Sequence, residues 1–347
     1  MIARDSFSKD HIMSIHAENH RDPGLIERSI FAFGLLEALR QVGMDFIFKG
    51  GSSLLLLLEH PMRLSTDIDI LVEPGTDVDY YIRKASVIFP FSSCQEVIRK
   101  GKNSISKRNF KFTYESPVNK GPLFILLDIV FDRSRYPELM DREIRNDLLL
   151  TSGSNLSVQV PTTDCLLGDK LTALAPHTTG IRLGEGKDME VMKQFYDINT
   201  LIDRMVNYDT VRKTYFAISE EEIGYRRDLI MTSEDALRDT IDTCLCIASR
   251  GKVYNDDYPH YLQGARDVVQ HVFGERFSFE SAWLMAPRII YLCSCLLSGN
   301  VFELVTDFEA FKQMRFVDGA FSALKGIRKS NPEGYAYLIK ADMELRK

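Results

Sequence analysis

Near Pro161 the hydrophobic period of this 347-residue chain changes. Before that point apolar residues come in strand-length runs at Phe46–Phe48, Asp67–Val72, Asn109–Tyr114, Phe124–Phe131 and Leu156–Val160. From Asp164 onward they recur at helical spacing over Leu166–Leu174, Val191–Met205, Ser233–Ser249, Leu262–Phe273 and Ala286–Leu297. Side chains alternate faces along a strand and return to one face every 3.6 residues along a helix. The two patterns therefore predict two architectures: an α+β (α/β) domain over residues 1–162, with a mixed sheet, and a mainly helical domain over 163–347. The length suits two domains, each able to bury its own core.

Helices are also expected in the first half. The spacing predicts one over Leu25–Val42 that ends near Gly43, a second over Ser53–Leu58 with Ser52 as its cap, and a third over Val78–Ile88. The second closes at His60-Pro61, because the residue before proline disfavours helical backbone. The local order is thus strand, Gly50-Gly51 turn, helix, loop, strand.

Composition excludes some classes. A hydrophobic share of 45% and a charged share of 27% are ordinary for a globular chain and argue against wholesale disorder. The net charge of -6 makes the molecule as a whole repel nucleic acid, so any polyanion must be gripped by a local basic patch. One candidate runs from Arg99 to Phe112, where Arg99, Lys100, Lys102, Lys107, Arg108 and Lys111 mix with aromatics; such charge runs more often simply face water. The six cysteines lack a C-x-x-C spacing and are expected reduced and buried. His16 and His20 have a metal-compatible spacing but no third ligand, which favours a solvated helix face. The start lacks a secretory-type apolar run, and no stretch of about 18 apolar residues occurs. The expectation is a cytoplasmic protein without a membrane partner.

Chemistry concentrates around two aspartates. Asp67 and Asp69 stand two apart in a strand, so both carboxylates leave the same face and can share a divalent cation. Alone, such a pair is more often a solvated strand end. Upstream, the Gly50-Gly51-Ser52 turn at a helix start puts backbone N–H groups where phosphate oxygens can lie, although an ordinary tight turn looks the same. Asp128, inside Leu126-Leu127-Asp128-Ile129-Val130, is a third acid. A charge within so apolar a run is unfavourable unless paired or metal-bound. It either completes a phosphoryl-transfer site with Asp67 and Asp69 or pairs with a neighbouring Arg or Lys.

Lys49-Gly50-Gly51-Ser52 followed by Arg63-Leu64-Ser65-Thr66-Asp67-Ile68-Asp69 resembles the polymerase-beta-type nucleotidyltransferase superfamily, and more narrowly the AbiEii toxin family of type IV toxin–antitoxin pairs. Leu25–Arg28, Asp169–Leu174 and Lys193–Ile198 resemble further ordered motifs of that family, so the likeness runs over roughly residues 25–205. The sequence departs from it at Ser29 and Gln194, each where the family often has an acid.

The resemblance implies that Gly51 and Ser52 bind nucleotide phosphate, that Asp67 and Asp69 bind Mg2+, that Lys170 contacts the triphosphate and that Asp197 orients Lys170 or substrate; beside these, Lys49, Gly50 and Ser65 are candidate nucleotide-binding residues and Asp128 a candidate third Mg2+ ligand. From spacing alone, Lys170 is as readily an exposed helix lysine. The resemblance further implies NTP as substrate, RNA (the tRNA 3′ end among the candidates) as acceptor, and a cognate antitoxin acting mainly on expression. Two rivals stand beside it: the same core acting on a small molecule or a protein, and a non-catalytic nucleotide-binding or antitoxin-binding module.

Overall fold

A proline at the first helical position and an aspartate just before it start the long helix of the first half. In the computed structural model, which describes residues 1–98, 106–226, 230–273, 277–317 and 319–347, Asp22 caps the Leu25 N–H at 2.9 Å. From there α2 runs over Pro23–Gln41, preceded by α1 over Lys9–Asn19. Apolar residues cover every side of α2, and nearly all are buried.

A seven-stranded sheet forms the rest of this unit, in the order β3-β4-β5-β2-β1-β7-β6. The strands are β1 (Ile47–Lys49), β2 (Ile68–Val72), β3 (Phe91–Glu96), β4 (Lys107–Ser116), β5 (Gly121–Phe131), β6 (Leu139–Glu143) and β7 (Ser157–Pro161). Helix α3 (Gly50–Leu57) follows β1, and α4 (Val78–Ala85) follows β2. The β2–β5 and β1–β7 pairs are parallel and the others antiparallel, so the sheet is mixed. One face carries Phe48, Ile68, Ile70, Phe110, Phe112, Ile125, Leu127 and Ile129 into the core beneath α2.

Two strands went unpredicted, β3 and β6, and they are the two edges of the sheet. β3 exposes most of its side chains and β6 buries none fully, so neither has the apolar alternation that marks a strand. The helix expected with a Ser52 cap begins three residues earlier: Lys49 is its N-cap, with no side-chain cap, and Ser52 lies inside the first turn.

The second unit is helical, as expected. It comprises α5 (Thr163–Ala173), α6 (Asp188–Ile202), α7 (Tyr208–Gly224), α8 (Ser233–Ser249), α9 (Tyr258–Val268), α10 (Phe279–Ser298), α11 (Ile327–Ser330) and α12 (Pro332–Glu344). Contrary to the expectation that no such stretch occurs, α10 is long and apolar enough to cross a membrane by length and composition. It is nevertheless 67% buried, packed against α8 and α12. The five cysteines of this unit are buried and all six are free thiols.

By contacts the chain divides into Met1–Thr163 with Gln270–Glu275, and Asp164–Val269 with Arg276–Lys347. The helix expected over Leu262–Phe273 stops at Val268, apart from a short 3-10 turn over Val269–His271. The chain then returns to the sheet unit as a strap: Val272 bridges Arg63 in antiparallel fashion.

Candidate active site

β1 ends at Lys49, and the chain must turn at once to begin α3. Gly50 makes that turn at φ +79°, a left-handed conformation that side chains with a β-carbon disfavour by about 1–2 kcal/mol. A second demand falls on the same residue, because an added β-carbon would collide with the carboxylate of Asp69. Gly51 has ordinary backbone angles, but there a β-carbon would strike the guanidinium of Arg63 and lie 3.2 Å from Ser65 Oγ.

The Ser52 hydroxyl is fully buried. It donates to the backbone carbonyl of Asp67 and lies 2.8 Å from Ser65 Oγ. These two serines tie the turn to the loop that delivers Asp67. Helix α3 leaves its first-turn N–H groups without intrahelical acceptors, which makes its start an anion-favouring place.

Strand register assembles the carboxylates. Lys49 stands opposite Asp69, Asp69 opposite Asp128, and Asp128 opposite Asn109. Directly opposed residues on adjacent strands share a face and lie about 5 Å apart. Ile68, Ile70, Leu127 and Ile129 point into the core, so Lys49, Asp69, Asp128 and Asn109 form a polar row on the other face. Asp69 and Asp128 are half-buried, and Asp67 is exposed. Lys49 Nζ also sits 5.9 Å from the centre of the Tyr136 ring.

These acids are hard oxygen donors of the sort magnesium prefers, and Gly50 leaves room for the Asp69 carboxylate where a β-carbon would fill it. Among the described residues no group of three or more His, Cys, Asp or Glu side chains is arranged to hold a metal ion as it stands. Like-charged carboxylates repel one another until a cation lies between them. The row therefore fits a divalent ion by donor chemistry and strand placement, not as a closed cage.

Lys170 and Asp197 belong to the helical unit, on α5 and α6. Lys170 is buried and not the exposed helix lysine that its spacing also allowed. Its Nζ lies 2.7 Å from Asp197 Oδ2, with side-chain exposures of 5% and 2%, and it donates to Gln194 Oε1 at 3.2 Å. Gln194, a departure from the family pattern, thus takes part in the same polar network.

The basic segment divides in two. Residues 99–105 lie outside the described residues; on β4, Arg108 donates to both carboxylate oxygens of Glu96 at 2.7 Å and to Asp79 at 2.8 Å. Those bonds hold the Asp79 and Glu96 carboxyls below the usual range, and they engage Arg108 with its own neighbours. Lys111, on the same face as Asn109, sits 4.3 Å from the ring centre of Phe124, which is 42% exposed. His16 Nδ1 meets the Arg21 carbonyl at 2.6 Å, and His20 ends α1 in a left-handed conformation.

Two residues of the site went unread. Asn109 was recoverable by counting back across the β4–β5 turn from Asp128. Arg63 stands at the head of the Arg63–Asp69 motif, but nothing in the Met62–Ser65 loop signals that the residue is only 6% exposed.

A family profile described as the nucleotidyl transferase AbiEii toxin of a type IV toxin–antitoxin system matches residues 34–272, more than half of the chain. Among solved structures, a Helicobacter pylori protein provisionally described as a nucleotidyltransferase is 13% identical, with 80% of this chain and 99% of that one covered at a TM-score of 0.44. A second Helicobacter pylori protein, JHP933, is 12% identical, with 70% and 96% covered at a TM-score of 0.37. Likeness that loose transfers neither residue roles nor substrates. No curated protein matches the chain.

Proposed function

Because the chain belongs to the AbiEii family of nucleotidyltransferase toxins of type IV toxin–antitoxin systems, we propose that it transfers a nucleoside monophosphate from an NTP to a hydroxyl of RNA, in the cytoplasm. The acceptor oxygen bonds to the α-phosphorus, the bond from that phosphorus to the bridging oxygen breaks, and pyrophosphate leaves. The observation that carries this reading is the row of Lys49, Asp69 and Asp128 across three neighbouring strands, beside a glycine turn that the Asp69 carboxylate touches.

In this scheme the N–H groups of Gly51 and Ser52 at the start of α3 bind phosphate oxygens, and Lys49 offsets their charge. Ser65 holds the turn through Ser52. Asp67, Asp69 and Asp128 would hold Mg2+, which when bound neutralises charge on the phosphates and orients them. Asp128 accepts the proton of the attacking hydroxyl or orients it. Lys170, aligned by Asp197 and Gln194, is proposed as a second cation for the triphosphate.

RNA is supported as acceptor by the cation and exposed ring of Lys111 and Phe124, on the face that carries Asp128, where a base can stack beside a phosphate. A small-molecule acceptor is the second reading. A cavity of 450 Å³ lined by Ile47, Leu71, Asp132, Asp141 and Gln159 lies two residues along β1 and β2 from Lys49 and Asp69, within the range of small-ligand sites. The family also implies an antitoxin partner, proposed to act on expression.

The test is incubation of the full chain with α-labelled NTP and separate RNA, protein and metabolite fractions. Label on RNA is expected, abolished by chelation of divalent ions and lowered at least about a hundredfold in D69N and D128N. Label confined to metabolites or protein would overturn the RNA acceptor, and no label in any fraction would overturn the enzyme reading.

A further inference from the structure

Arg63 has no part in the reaction scheme above, yet it stands directly behind the phosphate-binding turn. It lies in the loop between α3 and β2, and its guanidinium is buried. Nη1 donates to the Leu64 carbonyl at 3.1 Å. Nη2 lies so close to the α-carbon of Gly51 that a β-carbon there would collide with it. The planar fork thus spans a loop carbonyl on one side and the glycine turn on the other.

The backbone that carries Arg63 is itself clamped. Val272 bridges Arg63, the Leu64 N–H donates to the His271 carbonyl at 2.6 Å, and the Phe273 N–H donates to the Met62 carbonyl at 2.9 Å. A guanidinium is an unfavourable group to bury as mere filler, since an apolar side chain of similar volume packs without losing hydration. Its placement makes sense if the turn must be held in one shape and backed by positive charge.

We propose that Arg63 is the positioning residue of the Gly50–Ser52 turn: its fork, carried on backbone clamped by the strap at His271–Phe273, sets where the Gly51 and Ser52 amides meet the nucleotide phosphates. This rests on the nucleotidyltransferase reading above. Arg63 itself touches no substrate. Its effect is on binding of the NTP, through the turn.

The test compares full-length wild type with R63A, R63K and F273P, the last removing the strap's N–H donor while leaving every site side chain in place. Steady-state transfer gives KM for the NTP and kcat separately; hydrogen exchange at Gly51 and Ser52 in nucleotide-free protein reports the turn directly. R63K keeps the charge and loses the fork, so it is expected to raise KM about tenfold or more with kcat within about threefold, and to speed exchange at both amides. F273P should shift both readouts in the same direction, and it carries the test with R63K if R63A does not fold. Wild-type KM and wild-type exchange in R63K would overturn the proposal, as would a fall in kcat at unchanged KM. If wild type transfers no label, or D69N transfers as well as wild type, the enzyme reading fails instead, while the exchange data still decide whether Arg63 holds the turn.

Discussion

A glycine at position 50 meets two independent requirements, a left-handed backbone and a carboxylate resting on its α-carbon. Gly50→Ala should therefore cost about 1–2 kcal/mol from the backbone alone and displace Asp69 as well. Melting and label transfer measured together are expected to show a modest drop in stability and a larger loss of activity; unchanged activity would mean that Asp69 is not needed where it stands. The buried Lys170–Asp197 pair makes a different prediction. Truncating one partner leaves a charge stranded, so Asp197→Ala should destabilise the protein by roughly 3–5 kcal/mol. The apolar double replacement K170M with D197L should recover much of that stability in a melt. It should not recover transfer, and if it does, the role proposed for Lys170 is lost.

The connection between α5 and α6, which joins Lys170 to Asp197, is pinned at both ends. His177 Nε2 lies 2.8 Å from Asp257, its N–H donates to Asp239 at 2.8 Å, and Thr178 donates to Asp239 at 2.8 Å. At the far end His260 lies 2.9 Å from Asp188, which also accepts the Gly184 N–H at 2.9 Å. Burial pulls the His177 pKa down, but the hydrogen bond and charge of Asp257, with Asp239 and Asp242 nearby, outweigh it and leave the value raised. Burial pushes the Asp239 carboxyl up as well. A histidine raised in the folded state contributes stability that is full below its unfolded value of about 6.5 and is lost as pH rises through the folded value. Melts of wild type and His177→Ala should therefore differ most near pH 5.5 and converge by about pH 8.5; a gap that widens toward alkaline pH would contradict the pairing. The same scale shows how legible the fold was. β2 and β5 declared themselves through apolar runs with one misplaced charge each, because interior strands bury a full face. β3 and β6 did not, because an edge strand pairs on one side only and tolerates polar residues on both faces.

Unity of the first domain depends on residues more than a hundred positions beyond its last strand. The strap contributes two backbone hydrogen bonds and the burial of Val272, which is 1% exposed. At about 0.5–1.5 kcal/mol per bond and about 1.5–3 kcal/mol for the side chain, that is a large part of a typical domain's stability of about 5–15 kcal/mol. A chain shortened to residues 1–163 is expected to melt lower than the sheet unit of the full protein. It should also gain little stabilisation from NTP with Mg2+. A shortened chain with full-length stability would show that the strap is dispensable.

Local periodicity sufficed for the α+β sheet half and the helical half, since these depend on which side chains share a face within one element. Register across separate strands, the burial of Arg63 and the return of His271–Phe273 to the sheet were decided only in three dimensions. Such contacts join positions far apart in the chain, and no short-range pattern of residues encodes which distant backbone will supply the partner.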